Sequence, residues 1–292
     1  MLAKYKNLLL LHLIVFIYGF TGILGALISI PSDKLVWFRM LIALGGILAF
    51  VLGKKILQPL NAKIIIKFLL TGLAIALHWI FFFEAIKVST VSVTLATLSS
   101  ATLFTAILEP LFFKRKIIVY ETIFGIIIIL GLYLIFNFER KYQLGIIYTL
   151  FSAFMASLFT VINGKFASKY NPGTVALYEM AGGFIGITLF FVAQSKLNIH
   201  ILYISKSDLM YLLILGIICT AFAFVVSIFI MKELSPFTVT MTINLEPVYG
   251  IFLAFLIFGA SEKMTLQFYL GTLIILTSIF TNGWLKRKKI NE

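Results

Sequence analysis

An all-α integral membrane protein, with ten transmembrane helices in two inverted-topology repeats of five, is the fold class this sequence predicts. Three observations carry that expectation. The chain is 61% hydrophobic and only 12% charged over 292 residues, a balance found in bilayer-embedded proteins and not in soluble domains. Apolar segments of about 20 residues follow one another with very short connections. The second half of the chain also repeats the first at a nearly fixed offset.

Cutting at charges, prolines and polar pairs leaves ten segments: 7–28, 33–52, 62–86, 89–112, 117–136, 142–166, 173–194, 207–231, 235–258 and 264–284. At 1.5 Å per residue, about 20 residues cross a hydrocarbon core of ~30 Å. Connections such as KVS, KELS and ASEK force neighbouring helices to run antiparallel and leave no room for a soluble domain. The first segment follows a short basic head, as in a signal peptide. It is long enough to span, and no small-x-small cleavage site follows, so it reads as the first transmembrane helix.

The formal charge of +13 invites a nucleic-acid reading. The basic residues, however, sit in short clusters between apolar runs without aromatic interleaving, and membrane topology accounts for them. With the N-terminus inside, 16 of the 24 Lys and Arg residues fall in inner loops and 7 in outer loops, while Arg39 lies within a span. Both termini are therefore expected in the cytoplasm, with the chain in the cell (inner) membrane. The closing LKRKK is a topology signal on this reading, though it could also touch anionic lipid. The single cysteine, Cys219, excludes an intrachain disulfide.

The stretch EAIKVSTVSVTLATLSSATLF (84–104) lies over IMKELSPFTVTMTINLEPVYG (230–250) at an offset of 146, which also pairs the fifth span with the tenth. Near the start of each half, LVWFRML aligns with VALYEMA at an offset of 140. Five spans per copy means that residues 1–138 and 139–292 insert with opposite orientations, and a site is expected near the bilayer midplane between them. Spans 3, 4, 8 and 9 are expected at the centre.

The residues WFRMLIA in span 2, ALHWIFFFEAIKVSTVS across spans 3 and 4, and LEPVYGIFLAFLIFGASEKMTLQFYLGTLII across spans 9 and 10 resemble the drug/metabolite transporter superfamily. Within it, nearly the whole chain resembles the ten-helix EamA-type exporters. That resemblance implies export of amino acids, other metabolites or amphipathic drugs by alternating access. It also implies that ten spans around one cavity suffice for a monomer. One departure stands out: the first half has Ala101 where the second has Pro247, and its own Glu109-Pro110 falls eight residues later.

The residues that could carry chemistry are polar points inside apolar runs. Glu246 lies ten residues after Pro236, about 15 Å into span 9 and so near mid-bilayer. An ionised carboxylate there costs several kcal/mol, and Pro247 frees a carbonyl of the preceding turn, which suits a watery cavity. Glu246 is the coupling candidate; a kink whose Glu hydrogen-bonds a neighbouring Ser or Tyr is the alternative. Asn244 stands nearby on another side of the helix. Ser100 is the repeat mate of Glu246, so Ser99, Ser100 and Thr102 form the expected opposite wall, unless they serve only tight helix packing.

His78 and Phe82 share a face of span 3, with Trp79 on an adjoining one, a set that suits flat or amphipathic solutes. The alternative is a buried neutral histidine beside lipid-facing rings. Tyr18 and Thr21 in span 1, and Thr160 and Asn163 in span 6, are further candidates for the wall. Arg39 and Glu179 are repeat mates that differ in depth by roughly 12 Å, so no salt bridge between them is expected. Arg39 reads as structural, pairing with carbonyls or reaching outward, and Glu179 as a packed structural acid. Glu84 and Glu109 lie near span ends and are expected to reach interfacial water.

No HExxH, GxSxG, Walker loop, CxxC or metal-ligand spacing occurs. An enzyme, a cofactor, a bound metal or ATP-driven transport on this chain is therefore not expected. The expected partners are a small-molecule substrate and the lipid bilayer, with no nucleic acid. The alternatives are an intramembrane enzyme acting on a lipid-linked substrate, or a channel or scaffold.

Overall fold

The computed structural model describes residues 2–116 and 119–291, and every regular element among them is helical. The start of the fifth predicted span, residues 117 and 118, lies outside the described residues, as do residues 1 and 292 at the outer bounds of the two predicted repeats. The helices are α1 (Leu2–Leu27), α2 (Ser32–Gly53), α3 (Ala62–Val88), α4 (Val91–Leu98), α5 (Ala101–Phe113), α6 (Val119–Phe138) and α7 (Gln143–Ala167). The chain continues through α8 (Pro172–Ala193), α9 (Lys206–Gly216), α10 (Ala223–Ile230), α11 (Pro236–Ile243), α12 (Glu246–Phe258) and α13 (Leu266–Asn291).

Among the described residues, seven helices are long and apolar enough to cross a membrane; Ile123–Asn137 and Leu266–Thr281 are shorter apolar helices. The outward surface is oily, with Leu9, Leu70, Leu189 and Phe252 each more than half exposed. That inverts the pattern of a water-soluble fold and fits a lipid surround. The protein is an all-helical membrane protein.

Helix starts are set by local capping. Asn61 accepts from Ile64 N (3.0 Å), Thr90 from Val93 N (3.1 Å), and Ser205 from Asp208 N (3.0 Å). Asn171 accepts from Gly173 N (2.9 Å), ahead of Pro172 in the first turn. Each side-chain oxygen satisfies an amide that has no partner inside its own helix. The ends differ from expectation at α1 and α13, which stay helical through basic flanks where the segments were cut. Charge ends a membrane span but does not end a helix once the backbone is in water.

Two breaks matter for function. Between α4 and α5, Ser100 N bonds to Thr97 O (3.0 Å), and Thr102 N to Ser99 O (3.2 Å). Between α11 and α12, Leu245 N bonds to Thr242 O (3.0 Å), and Val248 N to Leu245 O (3.0 Å). These bonds span three residues rather than four, so both helices tighten and turn. The breaks fall at matching points of the two halves, although only the second has a proline to cause one. A third irregularity is the π-helical stretch Ile217–Phe222 between α9 and α10.

The broken helices also cap one another. Glu262 receives Val91 N (3.0 Å) and Ser92 N (2.9 Å) at the start of α4. Glu109, at the end of α5, receives Phe237 N (2.8 Å) at the start of α11. Val91 and Phe237 are 146 residues apart, and each amide is received by a carboxylate from the other half of the chain. A positive φ of 60° at Gly259 turns the chain toward Glu262, a conformation that glycine adopts without a Cβ clash. Glu109 is buried and also pairs with Arg115 (2.9 Å). It therefore does not reach interfacial water as expected: the Phe237 amide at the start of α11 and Arg115 hold it inside.

Candidate functional site

A cavity of about 110 Å³ lies at the meeting of the two halves. Its wall is built by α1, α2, α3, α4, α5, α7, α10, α11, α12 and the π-helical stretch. The four central spans expected from sequence all contribute, and spans 1, 2 and 6 join them. Tyr18, Thr21, His78, Trp79, Phe82, Ser99, Thr160, Asn244, Glu246 and Pro247 stand on the wall. These residues come from five separate stretches of the chain, so their convergence is a property of the fold.

Several candidates do not line the cavity. Ser100 and Thr102 are fully buried off the wall; Thr102 Oγ1 accepts from Asn244 Nδ2, which also donates to Thr240 O (3.0 Å). The break at Ser99 changes the helical phase, so Leu98, Ser99 and Ala101 face inward while Ser100 and Thr102 do not. Asn163 is directed away from the cavity and donates to Glu179 Oε2 (3.2 Å). Glu179 is wholly buried, and among the described residues no ion pair joins it to Arg39.

His78 interlocks α3 with α7. The contacts are satisfied with Nδ1 donating to Ser152 O (3.0 Å) and Ser152 Oγ donating to His78 O (2.9 Å). That assignment leaves Nε2 as the ring's acceptor. Phe82 and Phe159 flank the imidazole, with centroids 6.1 and 5.6 Å away. Phe82→Ala should lower flux severalfold more than it lowers abundance, because it removes part of the cavity wall as well as core packing. Phe83 is fully buried against Gly25 and off the wall, so Phe83→Ala should lower abundance first. Paired measurements of flux and folded protein check this; normal flux in Phe82→Ala with a flux-specific loss in Phe83→Ala would assign the site to the other face.

Arg39 departs most from expectation. It neither reaches outward nor pairs with carbonyls. It is 2% exposed and lines the cavity, with its guanidinium 3.7 Å from the Trp79 ring centroid. Nε donates to Thr220 Oγ1 (2.7 Å), whose own hydroxyl donates to Leu215 O (2.7 Å). Thr220 sits in the π-helical stretch, and the extra residue in that turn brings its hydroxyl to the arginine. A charge inside a span is itself the sequence signal for Arg39; the π turn has none. Glu246 is buried at the start of α12 and lines the same cavity, and among the described residues no hydrogen bond or ion pair holds its carboxylate. Cys219, Phe159, Phe224, Ser227 and Thr240 also line it without having been singled out.

The chain matches the model of the EamA-like transporter family twice, over residues 6–137 and 143–284. It is 22% identical over 283 residues to a protein of Archaeoglobus fulgidus named an uncharacterized transporter, covering 95% of this chain and 96% of that one. It is 24% identical over 281 residues to the uncharacterized transporter YdfC of Bacillus subtilis, covering 94% and 89%. A solved crystal structure, 14% identical, superposes with a TM-score of 0.71 over 97% of this chain and 99% of the other. The fold, the cavity and these matches agree: the chain belongs to the EamA-like transporter family and is a membrane transporter.

Proposed function

We propose that the protein is a secondary transporter, an exporter of small organic solutes such as amino acids, metabolites or amphipathic drugs, working by alternating access around a midplane cavity. In this reading ten helices cross the cell (inner) membrane as two inverted repeats, 1–138 and 139–292, in a monomer with both termini cytoplasmic. The observation that carries it is the cavity itself, lined by residues from both halves. Two further features support it. The family match falls on two successive stretches of similar length. The reciprocal caps by Glu262 and Glu109 tie each half's broken helix to the other half, so releasing one cap while keeping the other frees one end of the cavity at a time.

Cys219, the only cysteine, lines the cavity and serves as a native reporter. Membrane-impermeant thiol reagents applied from each side of oriented vesicles should label it slowly in the parent. Glu262→Gln should speed labelling severalfold from the outer side alone, and Glu109→Gln from the inner side alone. Labelling that rises from both sides with either variant would indicate a continuous pore and overturn alternating access.

A further inference from the structure

Arg39 and Glu246 line the same cavity, and among the described residues no hydrogen bond or ion pair joins them to each other or to an oppositely charged side chain. Among the described residues, the guanidinium of Arg39 has one hydrogen-bond partner, Thr220 Oγ1 on Nε; Nη1 and Nη2 have no acceptor. Glu246 has neither a donor nor an ion pair. A buried charge without a partner is costly, and proteins retain one where a ligand, an ion or a second conformation completes it. Arg39 is also held rigidly: Thr220 fixes Nε from one side and the Trp79 ring covers one face of the plane. A fixed, planar guanidinium with both terminal nitrogens open is a receptor for a carboxylate, which it binds through two parallel hydrogen bonds.

Resting on the transport reading above, we propose that the cavity selects compact zwitterions, taking the solute's carboxylate on Arg39 and its ammonium group on Glu246. The rest of the wall says what lies between those groups. Leu95, Leu98, Phe82, Phe159, Phe224 and Ile243 offer an apolar surface. The face of Trp79 beneath Arg39 is already covered by the guanidinium, so the rings open to the solute are the phenyl groups. A cavity of about 110 Å³ takes a small branched or ring-bearing body and not an extended one. The inference separates the solute classes that the transport reading leaves together. A purely cationic amphipath would leave Arg39 unpaired beside a second positive charge, and a simple carboxylate would leave Glu246 facing a second negative one.

The test uses three probes that share one branched apolar body: leucine, isoamylamine and 4-methylpentanoate. Binding to the full chain in nanodiscs is measured by calorimetry at pH 7. Leucine should bind at least tenfold tighter than either singly charged probe. Glu246→Gln should bring leucine down to the level of 4-methylpentanoate, and Arg39→Gln to the level of isoamylamine. Because Arg39→Gln removes a buried side chain and can fail to fold, Arg39→Lys and Thr220→Ala accompany it. Lysine keeps the charge but loses the fork, and Thr220→Ala releases the guanidinium from its anchor; each should weaken leucine and 4-methylpentanoate while leaving isoamylamine unchanged. Equal binding of leucine and isoamylamine would overturn the role of Arg39, and equal binding of leucine and 4-methylpentanoate that of Glu246. If none of the three probes binds, the zwitterion assignment fails. Cys219 labelling from the two sides, which needs no ligand, still judges alternating access separately.

Discussion

Replacing Glu246 with Gln should leave the protein folded and remove the dependence of flux on pH. The carboxylate has no hydrogen-bond or ion-pair partner among the described residues, so the nearly isosteric amide breaks no contact that supports α12. If Glu246 exchanges a proton during the cycle, parental flux varies by up to about tenfold per pH unit, the limit for one titrating group. The Gln variant loses that variation because the amide does not titrate. Pro247→Ala separates this from a structural role. Restoring an alanine at the head of α12 alters the break beside Asn244, so it should lower flux at every pH and preserve the shape of the profile. Flux against an imposed pH gradient in proteoliposomes reads both variants. An unchanged profile in Glu246→Gln would retire the coupling role and leave the carboxylate as a structural acid or a substrate contact.

Enlarging Gly72 or Gly182 should cause the largest loss of folded protein of any single change. At these positions α3 and α8 approach until their backbones touch. A Cβ on Gly72 would lie 2.8 Å from Gly183 N, and one on Gly182 would press on the backbone of Leu69. Only a shift of one whole helix relieves such a contact, because no flexible side chain can move aside. Overpacking a core costs about 1–3 kcal/mol where side chains can adjust, and backbone against backbone lies at or beyond the upper end. Membrane helices depend on this close fit, since lipid gives no hydrophobic drive for their association. Gly72→Val and Gly182→Val should therefore lose most of the monodisperse protein on size exclusion. Gly45→Ala, where nothing lies within 4 Å, should keep the parental melting temperature or raise it. Equal behaviour of the three variants would remove the close contact as a determinant of stability.

The helices could be read from sequence because a residue in hydrocarbon obeys few rules. A span needs about 20 apolar residues, and any polar residue within it stands out against its cost. For that reason Tyr18, Thr21, Thr160, Asn244 and Glu246, chosen as polar points inside apolar runs, stand on the cavity wall, with His78, chosen for the face it shares with Phe82, and Ser99, chosen beside the repeat mate of Glu246. What sequence left unresolved was direction. Ser99 and Ser100 are adjacent and chemically identical, yet the break between α4 and α5 aims only the first inward. Arg39 was placed by linear depth near the outer end of its span; its real position depends on Trp79 from another helix and on Thr220 in a π turn. Such features arise from three helices meeting, and no local pattern encodes them. Glu109 shows the same limit, since its acceptor role depends on Phe237 N, 128 residues further along.

The crossed caps also set a timetable for assembly. Glu262 lies 171 residues after Val91. At about 5–20 residues per second, the ribosome needs on the order of ten to thirty seconds to supply it. Until then the first amides of α4 lack their carboxylate, and in a bilayer such groups must find water, a lipid headgroup or a chaperoning protein. Glu109, by contrast, is made long before the α11 amide it receives. The early half thus enters the membrane with one acceptor waiting and one set of donors unmet. Glu262 meets the amides of α4 only once the second half has been made, so each half completes the other.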